Sequence, residues 1–212
     1  NISLGVDVGS TTAKIVVLRE DTPVFSRYAR HYSQIRDTVT AMLRDAADAL
    51  AELSIPADTP IAAAMSGSAG MGLAEAAGIP FVQEVWATGQ VVRRLEPDTD
   101  AVIELGGEDA KILFFGDSVD ERMNGACAGG TGAFIDQMAT LLDMTPDALD
   151  EASLHYEKLY PIASRCGVFA KSDVQPLLNQ GARKEDVAAS IYQAVVNQTI
   201  SGLAQGRRIT GK

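Results

Sequence analysis

Two short turns between apolar segments carry the residues best suited to bind a metal-bound phosphate. In the first turn Asp7 ends an apolar run, and Gly9, Ser10, Thr11 and Thr12 follow it. Gly9 permits close approach of the backbone, and Asp7 can hold Mg²⁺ or its waters. The threonine hydroxyls can donate to phosphate oxygens. An ordinary hairpin, in which these side chains only satisfy turn amides, has the same pattern.

The second turn repeats this design later in the chain. Glu104 ends an apolar run, Gly106 and Gly107 follow, and Glu108 and Asp109 precede the next apolar run. Because each turn joins two strand-like runs, the sequence predicts two strand–turn–strand units. The sequence contains no GxxxxGK[ST] stretch, which excludes a phosphate site of the Walker type.

The chain contains two cysteines, Cys127 and Cys166. Cys127 lies in a glycine-rich turn that includes Gly130 and leads into a predicted helix. Two cysteines are too few for a disulfide framework. They are therefore buried thiols, a reactive thiol or half of a shared metal site.

Composition limits the classes of partner. The 212 residues have a formal net charge of −10, which argues against a nucleic-acid or anionic-membrane surface, since both require clustered Lys and Arg. No apolar run reaches the roughly 18 residues of a membrane helix, and no secretory signal is visible, so we expect a cytoplasmic protein. The chain begins without Met and ends soon after a long helical pattern, which favours a fragment of a longer protein.

Hydrophobic periodicity predicts the elements that position these residues. We expect strands over residues 2–18 as a hairpin, then 24–28, 61–65, 101–105 and 110–115. We expect helices over residues 33–53, 71–77, 84–95, 147–153 and 184–205, and one after the glycine-rich turn with Phe134 and Met138 on its apolar face. The polar stretch 96–100 is the candidate domain boundary.

The two strand–turn–strand units resemble the phosphate-1 and phosphate-2 loops of the superfamily that includes actin, the heat-shock ATPases and the sugar kinases. The resemblance implies an α/β fold of two similar ribonuclease-H-like domains around a nucleotide cleft, over residues 1–97 and 98–212, with the second incomplete at its C-terminal end. It implies ATP or ADP with Mg²⁺ as ligands. Glu84 stands where the heat-shock ATPases carry an acid near the attacking water, although a solvated charge at a helix N-terminus explains it equally well.

Within this superfamily the chain resembles the activator (component A) of 2-hydroxyacyl-CoA dehydratases and the ATPase subunits of benzoyl-CoA reductase. The resemblance covers residues 2–206 and rests on four segments: GVDVGSTTAK at 5–14, GGEDAK at 106–111, CAGGTG at 127–132 and RCGVFAKS at 165–172. The last two are the most specific, because generic sugar kinases have no reason to place a cysteine in each.

This family resemblance implies a homodimer in which Cys127 and Cys166 of both subunits hold one [4Fe–4S] cluster. It implies that ATP drives transfer of one low-potential electron to a dehydratase or reductase component, with flavodoxin or ferredoxin as the electron donor. The implied catalytic residues are Asp7, Glu84 and Glu104. The implied nucleotide-binding residues are Gly9, Ser10, Thr11, Thr12, Lys14, Gly106, Gly107, Asp109 and Gly130.

The sequence departs from the family pattern at two acids and leaves other functions open. Glu104 stands where family members more often carry Asp, and Glu108 where Gln is usual. The family's adenosine-binding Gly-Gly motif has no counterpart up to Lys212. A small-molecule kinase of the same superfamily is the leading alternative, and it predicts a phosphorylated product. A regulatory ATPase module without redox chemistry is the third, and it predicts that Cys127→Ser and Cys166→Ser chains keep full function.

Overall fold

The computed structural model describes residues 1–124, 129–163 and 167–212, and the side chains of all these except 167 and 168. The described residues form two compact units, Asn1–Leu95 and Glu96–Lys212. Each unit combines a mixed or antiparallel sheet with helices, which confirms the predicted α/β class. No described helix is both long and apolar enough to cross a membrane.

Unit 1 is built on a four-stranded sheet. Its elements are β1 (Ile2–Val8), β2 (Thr12–Arg19), β3 (Thr22–Arg30), α1 (Ile35–Glu52), β4 (Ile61–Ser66), α2 (Met71–Ala77) and α3 (Glu84–Leu95). The strand order is β3-β2-β1-β4, with β1 antiparallel to β2 and parallel to β4. The predicted first hairpin is therefore confirmed, and so are the strands and helices predicted after it in this unit.

Alternation along the strands of unit 1 separates a core face from a more exposed face. Val6 and Val8 of β1 and Ile15 of β2 are buried, and they pack in a core that also contains Val39 and Met42 of α1. Successive strand residues point to opposite faces of a sheet. The residues between the buried ones, which include the acid of the first turn, therefore lie on the face away from α1.

Unit 2 joins a three-stranded antiparallel sheet to a group of helices. Its elements are β5 (Ala101–Leu105), β6 (Ala110–Phe114), β7 (Asp120–Asn124), α4 (Gly132–Leu141), α5 (Pro146–Ser153), α6 (Gly167–Asn179) and α7 (Lys184–Gln198), and a π-helical segment, Thr199–Ala204, continues α7. The strand order is β5-β6-β7. The second predicted hairpin is confirmed as β5 and β6.

Three features of unit 2 differ from the sequence prediction. β7 was not predicted, because its sequence, DERMN, is polar and carries one large apolar residue. α6 was not predicted either, since it contains Pro176, a residue that normally ends a helical pattern. The helix predicted over residues 184–205 is an α-helix only to Gln198, and its last turns are π-helical.

Candidate functional site

The carboxylate of Asp7 is fixed from both sides at the end of β1. Asp7 lies opposite Lys14 in the β1–β2 register, and the Lys14 Nζ donates to Asp7 Oδ2 at 2.9 Å. Ser66, opposite Asp7 on β4, donates its hydroxyl to Oδ1 at 2.8 Å. The Asp7 side chain keeps 30% of its surface exposed, so it remains within reach of a ligand.

The turn after Asp7 directs its carbonyl groups into the protein. The Gly9 N–H donates to the Thr12 carbonyl at 2.9 Å, and the Thr11 carbonyl accepts from the His31 N–H at 3.1 Å. Gly9, Ser10 and Thr11 are half-buried, whereas Thr12 is only 8% exposed. Ser10 and Thr11 are thus the more accessible hydroxyls of the turn.

A second turn, at the end of β4, packs directly behind this one. The Ala69 N–H donates to the Val8 carbonyl at 2.9 Å. Gly67 has a φ of +96° and lies so close to Val8 that a Cβ at this position would collide with three backbone atoms of that residue. The β4 turn therefore packs against Val8 and supports the end of β1, which carries Asp7 and leads into Gly9. These contacts of Gly67 and Ala69 with Val8 are called the brace below.

A cavity of about 290 Å³ lies beside the Asp7–Lys14 pair. Asp7 and Lys14 supply the charged groups of its wall, and Ser66 adds a hydroxyl. Small and branched apolar residues of the sheet line the rest, including Gly5, Val16 and Ala64. A pocket of this kind, apolar with a few convergent polar groups at one end, is typical of small-molecule binding sites.

The turn between β5 and β6 repeats the arrangement of the first turn. Glu104 lies opposite Lys111 in the register, with 4.0 Å between Glu104 Oε1 and Lys111 Nζ. Asp109 Oδ2 lies 3.5 Å from the same Nζ. The Gly106 N–H donates to the Asp109 carbonyl at 2.8 Å, as the Gly9 N–H does to Thr12.

Lys111 differs from Lys14 in burial. Its side chain is only 6% exposed, whereas the side chains of Glu104 and Asp109 are 42% and 39% exposed. A buried ammonium is stable only when paired. The two carboxylates therefore hold Lys111 in place, and they remain accessible to solvent themselves.

Sequence reasoning did not assign Lys111 or Ser66 to the site. The signal for Lys111 was present, because the acid precedes the lysine by the same interval in both turns: Asp7 with Lys14, and Glu104 with Lys111. Ser66 had no such signal, since only the parallel pairing of β1 with β4 brings it to Asp7.

The glycine-rich turn before α4 is anchored at its described end. Gly130 is buried, has a φ of +79°, and packs against the side chain of Gln198. Thr131 caps α4, its hydroxyl accepting from the Phe134 N–H at 3.4 Å. The Gly132 N–H donates to the Gly106 carbonyl at 2.8 Å, which joins the start of α4 to the turn between β5 and β6.

The two cysteines lie outside the described residues, so their predicted role as metal ligands stays a prediction. In residues 1–124, 129–163 and 167–212, no group of three or more His, Cys, Asp or Glu side chains is placed to hold a metal ion. Glu84, the remaining predicted catalytic residue, is the first residue of α3 and is half-buried.

Residues 157–163, which precede Cys166 in the sequence, are held by side chains of α6 and α7. Asp186 Oδ1 accepts from the Glu157 and Lys158 N–H groups at 2.7 and 3.1 Å. These hydrogen bonds, chiefly the one from Glu157, lower the pKa of the Asp186 carboxyl against the opposing effect of burial. Nearer the cysteine, Asp173 Oδ2 accepts from the Ala163 N–H at 2.7 Å.

Known proteins resemble the chain over nearly all of its length. The profile of the BadF/BadG/BcrA/BcrD ATPase family matches residues 4–211. The (R)-2-hydroxyglutaryl-CoA dehydratase activating ATPase of Acidaminococcus fermentans is 30% identical, over 95% of this chain and 76% of its own length. The activator of lactoyl-CoA dehydratase of Anaerotignum propionicum is 26% identical, over 95% of this chain and 77% of its own.

Two solved structures show the same fold. Component A of the A. fermentans (R)-2-hydroxyglutaryl-CoA dehydratase superposes with a TM-score of 0.84 at 28% identity, over 99% of this chain and 80% of that one. The activator of the 2-hydroxyisocaproyl-CoA dehydratase from Clostridium difficile, with bound ADPNP, gives a TM-score of 0.85 at 25% identity, over 99% of this chain and 77% of that one.

Proposed function

Because the chain belongs to the BadF/BadG/BcrA/BcrD ATPase family, we propose that it is an ATP-dependent activator of a 2-hydroxyacyl-CoA dehydratase or of a related acyl-CoA reductase. The names of its relatives support this role, since several are activators of such dehydratases. The observation that carries the proposal is the repeated turn, in which a strand-end acid faces a lysine across a hairpin in each unit.

In this proposal the two turns bind the phosphates and metal of ATP. Asp7 and Glu104 would hold Mg²⁺ or its waters, because each is a partly exposed carboxylate at a strand end. The backbone at Gly9, Gly106 and Gly107 allows close approach of phosphate oxygens. The chemistry that bound Mg²⁺ supplies is neutralisation of the charge on the phosphate oxygens.

The polar side chains around these turns would complete the nucleotide site. Hydroxyls of the first turn would donate to phosphate oxygens, and Lys14 would neutralise phosphate charge. Asp109 would orient the second turn through its contact with Lys111. Glu84 would accept a proton from the attacking water, and Gly130 would keep the turn before α4 close to the nucleotide. The hydroxyl groups that would donate to phosphate oxygens are those of Ser10, Thr11 and Thr12.

We further propose that Cys127 and Cys166 each supply one thiolate ligand to a [4Fe–4S] cluster shared by a homodimer. Four thiolates complete such a cluster, and two copies of the chain supply four. The chemistry that such a cluster would supply is one-electron transfer, with flavodoxin or ferredoxin as the donor and the dehydratase or reductase as the acceptor. ATP can influence this transfer only by binding one arrangement of the protein more tightly than another.

The redox role is tested by anaerobic purification with iron and sulfide analysis. We expect an oxygen-sensitive brown dimer with about four irons, as a [4Fe–4S] cluster requires. Cys127→Ser and Cys166→Ser should each remove the colour. A colourless, iron-free protein that turns over ATP with an acid or sugar as phosphate acceptor would instead identify a kinase.

The nucleotide role is tested separately by ATP hydrolysis and binding. Asp7→Asn should lower the ATPase rate by about 10-fold to 100-fold, the usual loss when a metal site is altered. Asp117→Asn is the matched control, because Asp117 is an exposed acid in a loop of unit 2. Equal rates for the two variants would contradict the assignment of Asp7.

A further inference from the structure

His31 is a buried polar residue directly behind the first turn. The chain has two histidines, and this one is only 3% exposed. It follows β3, and both of its ring nitrogens have hydrogen-bond partners: Nε2 lies 3.0 Å from the Gly9 carbonyl oxygen, and Nδ1 accepts from the Ser33 N–H at 3.1 Å. A buried side chain so fully partnered holds a defined orientation.

The hydrogen bond from Ser33 determines where the imidazole carries its proton. A neutral imidazole has one donor and one acceptor nitrogen. Because Nδ1 accepts from the Ser33 N–H, the proton lies on Nε2, and Nε2 donates to the Gly9 carbonyl. The ring therefore acts as a fixed donor toward the turn.

His31 engages two carbonyl groups of the turn. Its ring donates to the Gly9 carbonyl, and its backbone N–H donates to the Thr11 carbonyl at 3.1 Å. Both carbonyls are thereby held toward the protein interior. A carbonyl oxygen that turned outward would repel an anion, whereas outward-facing N–H groups attract one. The contacts of His31 thus favour a turn that presents its donors to phosphate.

A strained segment holds His31 in this position. Tyr32 and Ser33 have φ angles of +47° and +63°, in the left-handed region that costs a non-glycine residue about 1 kcal/mol or more. The Gln34 N–H closes this segment by donating to the His31 carbonyl at 2.7 Å. Tyr32 is 79% exposed, so packing of its side chain does not explain the conformation. The strained turn does place the Ser33 N–H on Nδ1.

We propose that His31 is a positioning residue for phosphate binding, which holds the Gly9 and Thr11 carbonyls away from the ligand through its Nε2–H and its backbone N–H. The proposal rests on the proposed function, since it assumes that the first turn binds the phosphates of ATP. It adds that His31, a residue outside the first turn, influences the affinity of that turn for phosphate.

Binding of Mg-ATP and of magnesium tripolyphosphate by calorimetry tests this role. His31→Leu, which removes the ring donor, should weaken both ligands by about 10-fold, or about 1.4 kcal/mol. His31→Gln should stay within about 3-fold of the unaltered chain, because its amide nitrogen stands the same number of bonds from Cα as Nε2. Ser54→Gly is the control, since it removes a left-handed strain elsewhere in unit 1, at an exposed residue after α1, and it should bind both ligands normally.

The results distinguish the positioning role from a purely structural one. If His31→Leu and His31→Gln lower thermal stability but bind both ligands as tightly as the unaltered chain, the proposal is wrong and the proposed function stands. If the unaltered chain binds neither ligand, the proposed function itself is contradicted, whatever the His31 variants show. Should His31→Leu not fold, nitrogen-15 NMR of the unaltered chain still decides, because an Nε2 of His31 that carries no proton would refute the donor role.

Discussion

Replacement of Gly67 by alanine tests the brace between the β4 turn and the end of β1. Gly67 has a φ of +96°, and a Cβ there would overlap the N, C and O atoms of Val8. Gly78 provides a matched control in the same unit, because its φ is +65° but a Cβ there would meet open space. The two substitutions share a left-handed backbone and differ chiefly in the room for a methyl group.

The expected magnitudes follow from these two environments. An alanine in the left-handed region costs about 1 kcal/mol, and this cost applies to Gly78→Ala. Gly67→Ala adds the cost of overpacking, typically about 1–3 kcal/mol. The clash is with backbone, which cannot rotate away as a side chain can. We therefore expect Gly67→Ala to destabilise unit 1 by about 1–3 kcal/mol more than Gly78→Ala, a further fall of roughly 4 °C or more in its melting temperature.

Urea unfolding measures the difference in stability between Gly67→Ala and Gly78→Ala. Trp86 fluorescence restricts this measurement to unit 1. Trp86 is the chain's single tryptophan and belongs to α3 of unit 1, so its fluorescence reports on that unit. Mg-ATP binding should also weaken in Gly67→Ala, since Val8 directly precedes Gly9. Equal stability of the two variants would refute the close approach of Gly67 to Val8, and normal binding by a destabilised Gly67→Ala would refute the link from this brace to the turn.

Three further substitutions probe the second turn and the contacts that hold residues 157–163. Lys111→Met should weaken Mg-ATP binding about 10-fold, because it removes the contact through which Asp109 orients the second turn; unchanged affinity in calorimetry would argue against a role for Lys111. Glu104→Asp should raise the ATPase rate, because it removes the extra methylene that displaces this carboxylate from the position of the family's usual Asp, and an unchanged or slower rate would contradict this. The pKa of Asp186 is lowered in the folded chain, so its carboxylate stabilises the fold above pH of about 4 and this contribution is lost on acidification. When the pH is lowered from neutral to about 3, the free energy of unfolding should therefore fall less in Asp186→Asn than in the unaltered chain. Urea unfolding at several pH values measures this, and the same pH dependence in both chains would contradict it.

Much of the fold was predictable because the relevant signals are local. The hairpin of β1 and β2 follows from two apolar runs around a polar turn, and α1 from apolar residues at helical spacing. The resemblance to the activator family was also present in short motifs around Asp7 and Gly106. The family match and the fold confirm it. β7 and α6 were missed because their composition contradicts the usual pattern for a strand or a helix.

The sequence by itself determined the hairpins, the acids and glycines of both turns, and the equal spacing from acid to lysine, since each depends on neighbours in the chain. Tertiary structure decided which other residues support them. His31 reaches Gly9 only because β3 pairs with β2, and Ser66 reaches Asp7 only because β4 lies parallel to β1. Pairing between strands distant in sequence depends on how the whole sheet buries its apolar face, and no local pattern encodes that choice.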